Sequence, residues 1–138
     1  MITQALCNSY KQEILRGLHQ ETDSYWMALY DDQAMLSKAT TVYTALHEVV
    51  GAGYSAGGQA LVGFNVTLDL DSACLDWTAD PRWPQATITA RGALIYNASR
   101  GNRAVAVFDF GVNVTSVDTT FVVPLPAPTA GAAVLRIK

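Results

Sequence analysis

The chain has 138 residues, half of them hydrophobic and only 15% charged, with a formal net charge of −3. That length can bury a core within one domain, 1–138, and the acidic balance with scattered basic residues excludes the cationic stripe of a nucleic-acid binder. No apolar run approaches the roughly 20 residues that a membrane-spanning helix needs, so neither nucleic acid nor membrane is an expected partner.

The opening segment, MITQALCNSYKQEIL, lacks a basic start followed by an apolar block, and no secretory leader is expected. Leu6, Tyr10, Ile14 and Leu18 recur at helical spacing and predict one amphipathic helix over about 3–18. Thr3 would cap its start and Gly17 would end it. A β-rich body is expected from about 24 to 138. Residues 24–30, SYWMALY, read as a strand, and Asp31-Asp32 closes it with turn chemistry. Residues 40–44, TTVYT, are β-branched and aromatic and read as a further strand, or as a short strand leading into a longer loop. The glycine-rich stretch 51–63, GAGYSAGGQALVG, reads as an exposed, flexible loop around Tyr54.

Residues 64–71, FNVTLDLD, alternate cleanly. Phe64, Val66, Leu68 and Leu70 share the face expected to be buried, and Asn65, Thr67, Asp69 and Asp71 share the solvated one. Residues 75–84 read as a loop after a short strand, which would leave Trp77 and Trp83 exposed. Residues 85–110 read as a hairpin, with turn residues at 97–102 and alternating strands on either side. A turn is expected at 111–118, a strand at 119–125 ending against Pro124, and a terminal strand at 133–137. About seven short strands separated by turns predict a mainly β chain, a single antiparallel β-sandwich or small barrel carrying the N-terminal helix.

The chemistry-bearing residues are sparse. His19 and His47 lack a nucleophile elbow or any recognisable partner spacing, and both read as surface histidines. Residues 51–58 lack the lysine and following helix of a phosphate loop. Asp69, Asp71, Asp76 and Asp80 cluster near a strand end. Their spacing fits no calcium loop, and the set reads as a solvated strand face, with a structural cation site as the alternative. Cys7 and Cys74 form no spaced motif and read as buried or half-buried thiols. The triplets beginning at Asn65, Asn97 and Asn113 match glycosylation acceptors only by chance composition. No catalytic, cofactor-binding or metal-binding residue is expected. Tyr54, Trp77 and Trp83 are the candidate partner-binding residues, because exposed aromatics anchor interfaces. The charged fraction, against about a quarter in ordinary soluble domains, points to a surface partly covered by a partner.

The order of segments carries a resemblance. MITQALCNSYKQEILRGLH, a strand ending in MALY, then TTVYTALHEVVGAGYSAGGQAL, ATITARGALIYN, RAVAVFDFG and the closing VLRIK follow one another. This arrangement resembles a family of small virion structural proteins of tailed bacteriophages and prophages. Residues 69–84 depart most from the pattern. The resemblance implies a non-enzymatic particle component without cofactors, foremost a capsid decoration or cement protein on the major capsid protein lattice. It also implies a homo-oligomer, a trimer matched to local three-fold symmetry, assembled in the host cytoplasm. A tail, neck or head-fibre part is the nearest alternative. A small receptor-binding or carbohydrate-binding β-domain is a further one.

Overall fold

The computed structural model describes residues 1–138. In chain order its elements are β1 (Ala5–Leu6), α1 (Asn8–Leu15), β2 (Tyr25–Tyr30), β3 (Gln59–Ala60), β4 (Phe64–Asp69), β5 (Ser72–Trp77), β6 (Arg82–Asn97), β7 (Arg103–Val122) and β8 (Leu135–Ile137). The chain is mainly β, with two antiparallel sheets and one short helix. The larger sheet has the order β1-β7-β6-β2-β3 and the smaller one β4-β5-β8. Neither sheet returns on itself, so the small-barrel expectation is corrected. The larger sheet ends in two-residue strands at both edges, and the smaller has only three strands, too few to curl into closure.

The β6–β7 hairpin is the frame. It is longer than the alternation at 85–110 indicates, with its ladder running from Asn97 opposite Arg103 to Arg82 opposite Val122. Its turn is a short 3₁₀ segment in which Asn97 Oδ1 accepts from the Ser99 N–H and Gly101 adopts the left-handed conformation. The expected turn at 111–118 is instead part of β7. Gly111 and Asp118 take positive φ within the strand, and the ladder shifts register without breaking. Such local irregularity looks like a turn in sequence because bulges use the same residues.

The helix is shorter than expected. Residues 5 and 6 are strand, pairing with Val107 and Ala106, and Cys7 rather than Thr3 precedes the first helical residue. Ladder bonds to β7 outcompete an extra helical turn. The helix also stops at Leu15, short of the expected 18, and Gly17 is the terminator that its type suggested, with φ +72° and the Leu18 N–H donating back to the Glu13 carbonyl.

Tyr25 and Tyr30 lie on opposite faces of β2 because they are five residues apart. Tyr25 meets Phe64 and Trp77 of the small sheet at ring-centroid distances of 5.4 and 5.5 Å. On the other face, Tyr96 stacks on Tyr43 at 4.8 Å and the Tyr30 hydroxyl donates to the Thr44 carbonyl. The larger sheet is therefore covered on both faces, and Ala93, Leu94, Ile95 and Tyr96 are all buried. Cys7 and Cys74 are buried free thiols, as expected, and burial pushes the Cys7 thiol up to about 11.

Candidate interaction surface

None of the three aromatics singled out as partner-binding residues is an exposed loop anchor. Trp77 and Trp83 are each only 4% exposed. Residues 72–77 are a paired strand rather than a loop, and β6 already begins at Arg82. Trp77 packs on Tyr25 and Phe64, while Trp83 lies between Tyr54 and Phe121. The motif DWTADPRWP looks turn-like because its prolines and aspartates surround two strand ends, and the tryptophans sit just inside those ends.

Tyr54 is half-buried and belongs to a staple. Its hydroxyl donates to Glu48 Oε2 at 2.6 Å and accepts from the Leu29 N–H at 2.9 Å. Glu48, itself buried, also receives the Tyr43 hydroxyl at 2.6 Å and the Gly57 N–H at 2.7 Å. Burial, reinforced by the bond to Glu48, pushes the Tyr54 phenol far above its ordinary value. The glycines around it serve close approach rather than flexibility. A methyl group on Gly58, whose φ is +81°, would overlap the Met27 carbonyl. The 51–63 stretch is thus pinned along the sheet, with Ala52 bridged to Thr87 and Gln59–Ala60 paired to β2.

A second polar network fastens α1 to the hairpin turn. The His19 side chain is 1% exposed, which corrects its reading as a surface histidine. Its Nε2 lies 2.9 Å from Glu13 Oε1 and its Nδ1 lies 2.9 Å from Asn97 Nδ2. Asn97 Oδ1 is occupied by the Ser99 N–H, so Asn97 Nδ2 donates to Nδ1 and the ring proton sits on Nε2, facing Glu13. Arg103 donates to Glu13 Oε2 at 2.7 Å, and Arg100 grips Asp23 through two bonds of 2.9 and 3.2 Å. The Arg100 bonds hold the Asp23 carboxyl at about 2. Both ring nitrogens of His19 are committed, and neither contacts a hydroxyl or thiol. The Ser9 hydroxyl, in the neighbouring cleft, is buried without a partner. A nucleophile–base contact is what acyl-transfer chemistry requires of such a cluster. His47 is exposed, 3.6 Å from Asp31.

The surface best suited to a partner is one that the sequence reading assigned to the core. The apolar side chains of β4 are exposed, Val66 by 56%, Leu68 by 76% and Leu70, just beyond the strand, by 82%. Only Phe64, at the strand's start, reaches the larger sheet. Between this sheet face and α1 runs an apolar groove of about 300 Å³, lined by Tyr10, Ile14, Phe64, Val66, Leu75 and Ile137. Leu15, the last residue of α1, is exposed as well. A second apolar strip follows β7, where Val112, Val114 and Val117 are exposed. There β1 pairs only with Ala106 and Val107, so no strand covers the outer edge of β7 from Phe108 to Val122. The opposite edge of the ribbon is capped by the 51–58 segment through the bridge from Ala52 to Thr87. Sequence reasoning found the alternation at 64–71 but reversed its faces. The polar face of the small sheet is partly covered, with Asn65 and Asp69 half-buried and Thr67 exposed, and the C-terminal segment crosses it through Ala130 N–H to Asp69 and Cys74 to the Thr129 carbonyl.

Comparison with protein-family models, curated proteins and solved structures finds no match to this chain.

Proposed function

We propose that this chain is a non-enzymatic structural protein of a tailed-bacteriophage particle, and foremost a decoration protein that binds the major capsid protein lattice and stabilises the head. The observation that carries the reading is the exposed apolar face of β4, which meets the groove beside α1 at Val66. Contiguous apolar surface of this kind marks an interaction site, and here it sits on a body whose loops are stapled down. The low charged fraction agrees with a surface designed for coverage. The packing of Phe64 and Trp77 on Tyr25 supports a sandwich description of the two sheets. A homo-oligomer, a trimer by the resemblance, would present several copies of the apolar face to the lattice.

A tail, neck or head-fibre station would use the same surface. The receptor- or glycan-binding alternative loses its motivation, because Trp77 and Trp83 are buried and offer no exposed stacking platform. The test is the copy number of this chain in purified particles, measured by quantitative mass spectrometry. Hundreds of copies support a lattice-bound protein, and a handful supports a neck or tip component. Absence from particles overturns the reading.

A further inference from the structure

The sheet edges of this fold are blunted in different ways, with one exception. In the larger sheet the edge strands β1 and β3 have two residues each. The stretch of β7 that no strand covers is interrupted by register shifts, with positive φ at Gly111 and Asp118. In the small sheet, β8 has three residues and carries Arg136, with Lys138 just beyond. Short strands, bulges and cations are devices that stop an edge from pairing with another chain. β4 has none of them. Its six residues pair with β5 in unbroken register, no proline interrupts them, and no lysine or arginine occurs between Lys38 and Arg82. Val66 and Leu68 stand exposed along it.

The backbone of β4 is equally unguarded. The Thr78 N–H donates to the Gly63 carbonyl at 2.9 Å, in line with the register that pairs Asn65 with Asp76, Thr67 with Cys74 and Asp69 with Ser72. Bonded and non-bonded pairs alternate along an antiparallel ladder, so the odd-numbered residues bond to β5. Phe64, Val66 and Leu68 therefore turn their N–H and carbonyl groups outward. No strand or isolated bridge pairs with that edge.

We infer that this edge is an interface between two copies of the chain, paired antiparallel about a two-fold axis at Thr67. A two-fold contact requires one surface to complement itself, and β4 does so in this register. Val66 and the partner's Leu68 exchange backbone bonds, and Leu68 and the partner's Val66 do the same. Their side chains share one face, so the two small sheets become one continuous sheet with a single apolar face. On the other face Thr67 meets the partner's Thr67. Asp69, the only charge on the strand, meets the amide of the partner's Asn65, while its Oδ2 keeps the Ala130 N–H. Asp71 falls opposite the partner's Gly63. Each carboxylate thus faces an uncharged group, whereas moving the axis two residues toward the turn would set Asp69 against the partner's Asp69. Sliding the partner by one residue would bring the outward groups of one strand against residues that are bonded inward on the other. The inference stands apart from the particle reading, and such a contact can join copies from neighbouring three-fold clusters. The paired stretch falls short of the roughly 1,600 Å² of a standard interface, so a dissociation constant on the order of 10⁻⁴ M is expected.

The purified chain suffices for the test. Sedimentation velocity should show association that strengthens with concentration. Leu68→Lys places a cation on the edge and should raise the dissociation constant at least about tenfold, while the Tm of dilute protein stays that of wild type. Val66→Pro removes an outward N–H and no bond to β5, and it should weaken association equally. Val114→Lys, on the bulged edge of β7, should leave association unchanged. Cross-linking reads the register directly. Thr67→Cys should give a disulfide-linked pair of chains under mild oxidation, because residues facing each other in a non-bonded pair have Cα atoms about 4.5 Å apart, within disulfide reach. Val66→Cys, which faces the partner's Leu68, should cross-link at least several-fold more slowly. Native Cys7 and Cys74 are buried and stay out of the reaction. Should Val66→Pro unfold, Leu68→Lys and the two cysteine variants decide the matter. A chain that stays monomeric at about 1 mM, association that Leu68→Lys leaves intact or that Val114→Lys abolishes, or faster cross-linking through Val66→Cys than through Thr67→Cys would each overturn the assignment.

Discussion

The two sheets obey the same alternation rule and use it in opposite ways. In the larger sheet, Leu94 and Ile95 are neighbours on opposite faces, and both are buried, because the 43–57 segment covers one face and α1 with the small sheet covers the other. In the small sheet, Val66 and Leu68 alternate with Asn65 and Thr67, yet the apolar set is open and the polar face is crossed by the tail. The periodicity of a strand states that its faces differ. Which face is buried depends on what the rest of the chain can lay over it. A tail of prolines and small residues brings backbone carbonyls and N–H groups, which suit a polar face, and it has little apolar surface with which to cover Val66 and Leu68.

That contrast can be broken at its strongest point by a single methyl group. Gly58→Ala should cost at least about 3 kcal/mol, since it combines a positive φ with overlap of the Met27 carbonyl. Gly131→Ala, in the tail, has open space around it and should stay within about 0.5 kcal/mol. Urea denaturation of the pair measures the difference, and equal effects would mean that the 51–58 segment is not pinned.

Leu94→Ala should destabilise the isolated chain by about 2–5 kcal/mol, while Leu68→Ala should leave its Tm nearly unchanged. On particles the order should reverse. Leu68→Asp should lower occupancy in competition with wild type by at least the roughly 1 kcal/mol that marks an interface residue. Undiminished occupancy would remove β4 from the contact.

Tyr54 sharpens the comparison from the loop side. Tyr54→Phe keeps the ring against Trp83 but leaves the Leu29 N–H without its acceptor and removes one of the two donors to Glu48 Oε2, which keeps the Gly57 N–H. The expected cost is about 1–3 kcal/mol, appearing as lost fold stability rather than as lost attachment by a folded mutant.

The smallest effect concerns acid. The Asp23 carboxyl is held at about 2 by Arg100, below its unfolded value of about 3.9. A depressed carboxylate contributes its full stability above the unfolded pKa and loses it as pH falls from about 4 through about 2. Hydrogen exchange across that window should show the corner of α1 and the hairpin turn loosening before the β2–β6 ladder. Arg100→Gln should remove most of this pH dependence.

Local sequence determined a good deal. It was enough to place β2, β4, β8 and the two sides of the hairpin, because period-2 alternation and turn residues act over a few neighbours. Gly17 likewise marked the end of α1 through its own backbone freedom. Only the tertiary structure decided that Leu6 is strand rather than helix, since its ladder partner Ala106 lies far along the chain. The same holds for Trp77, Trp83 and Tyr54, whose rings find Phe64, Phe121 and Glu48 across long sequence separations. The exposed face of β4 belongs with them, as does Asp76, which is buried where its spacing indicated a solvated strand face. Burial is a property of what covers a residue, and that covering segment is chosen by the whole chain's competition for backbone pairing and apolar contact, which no short window of sequence contains.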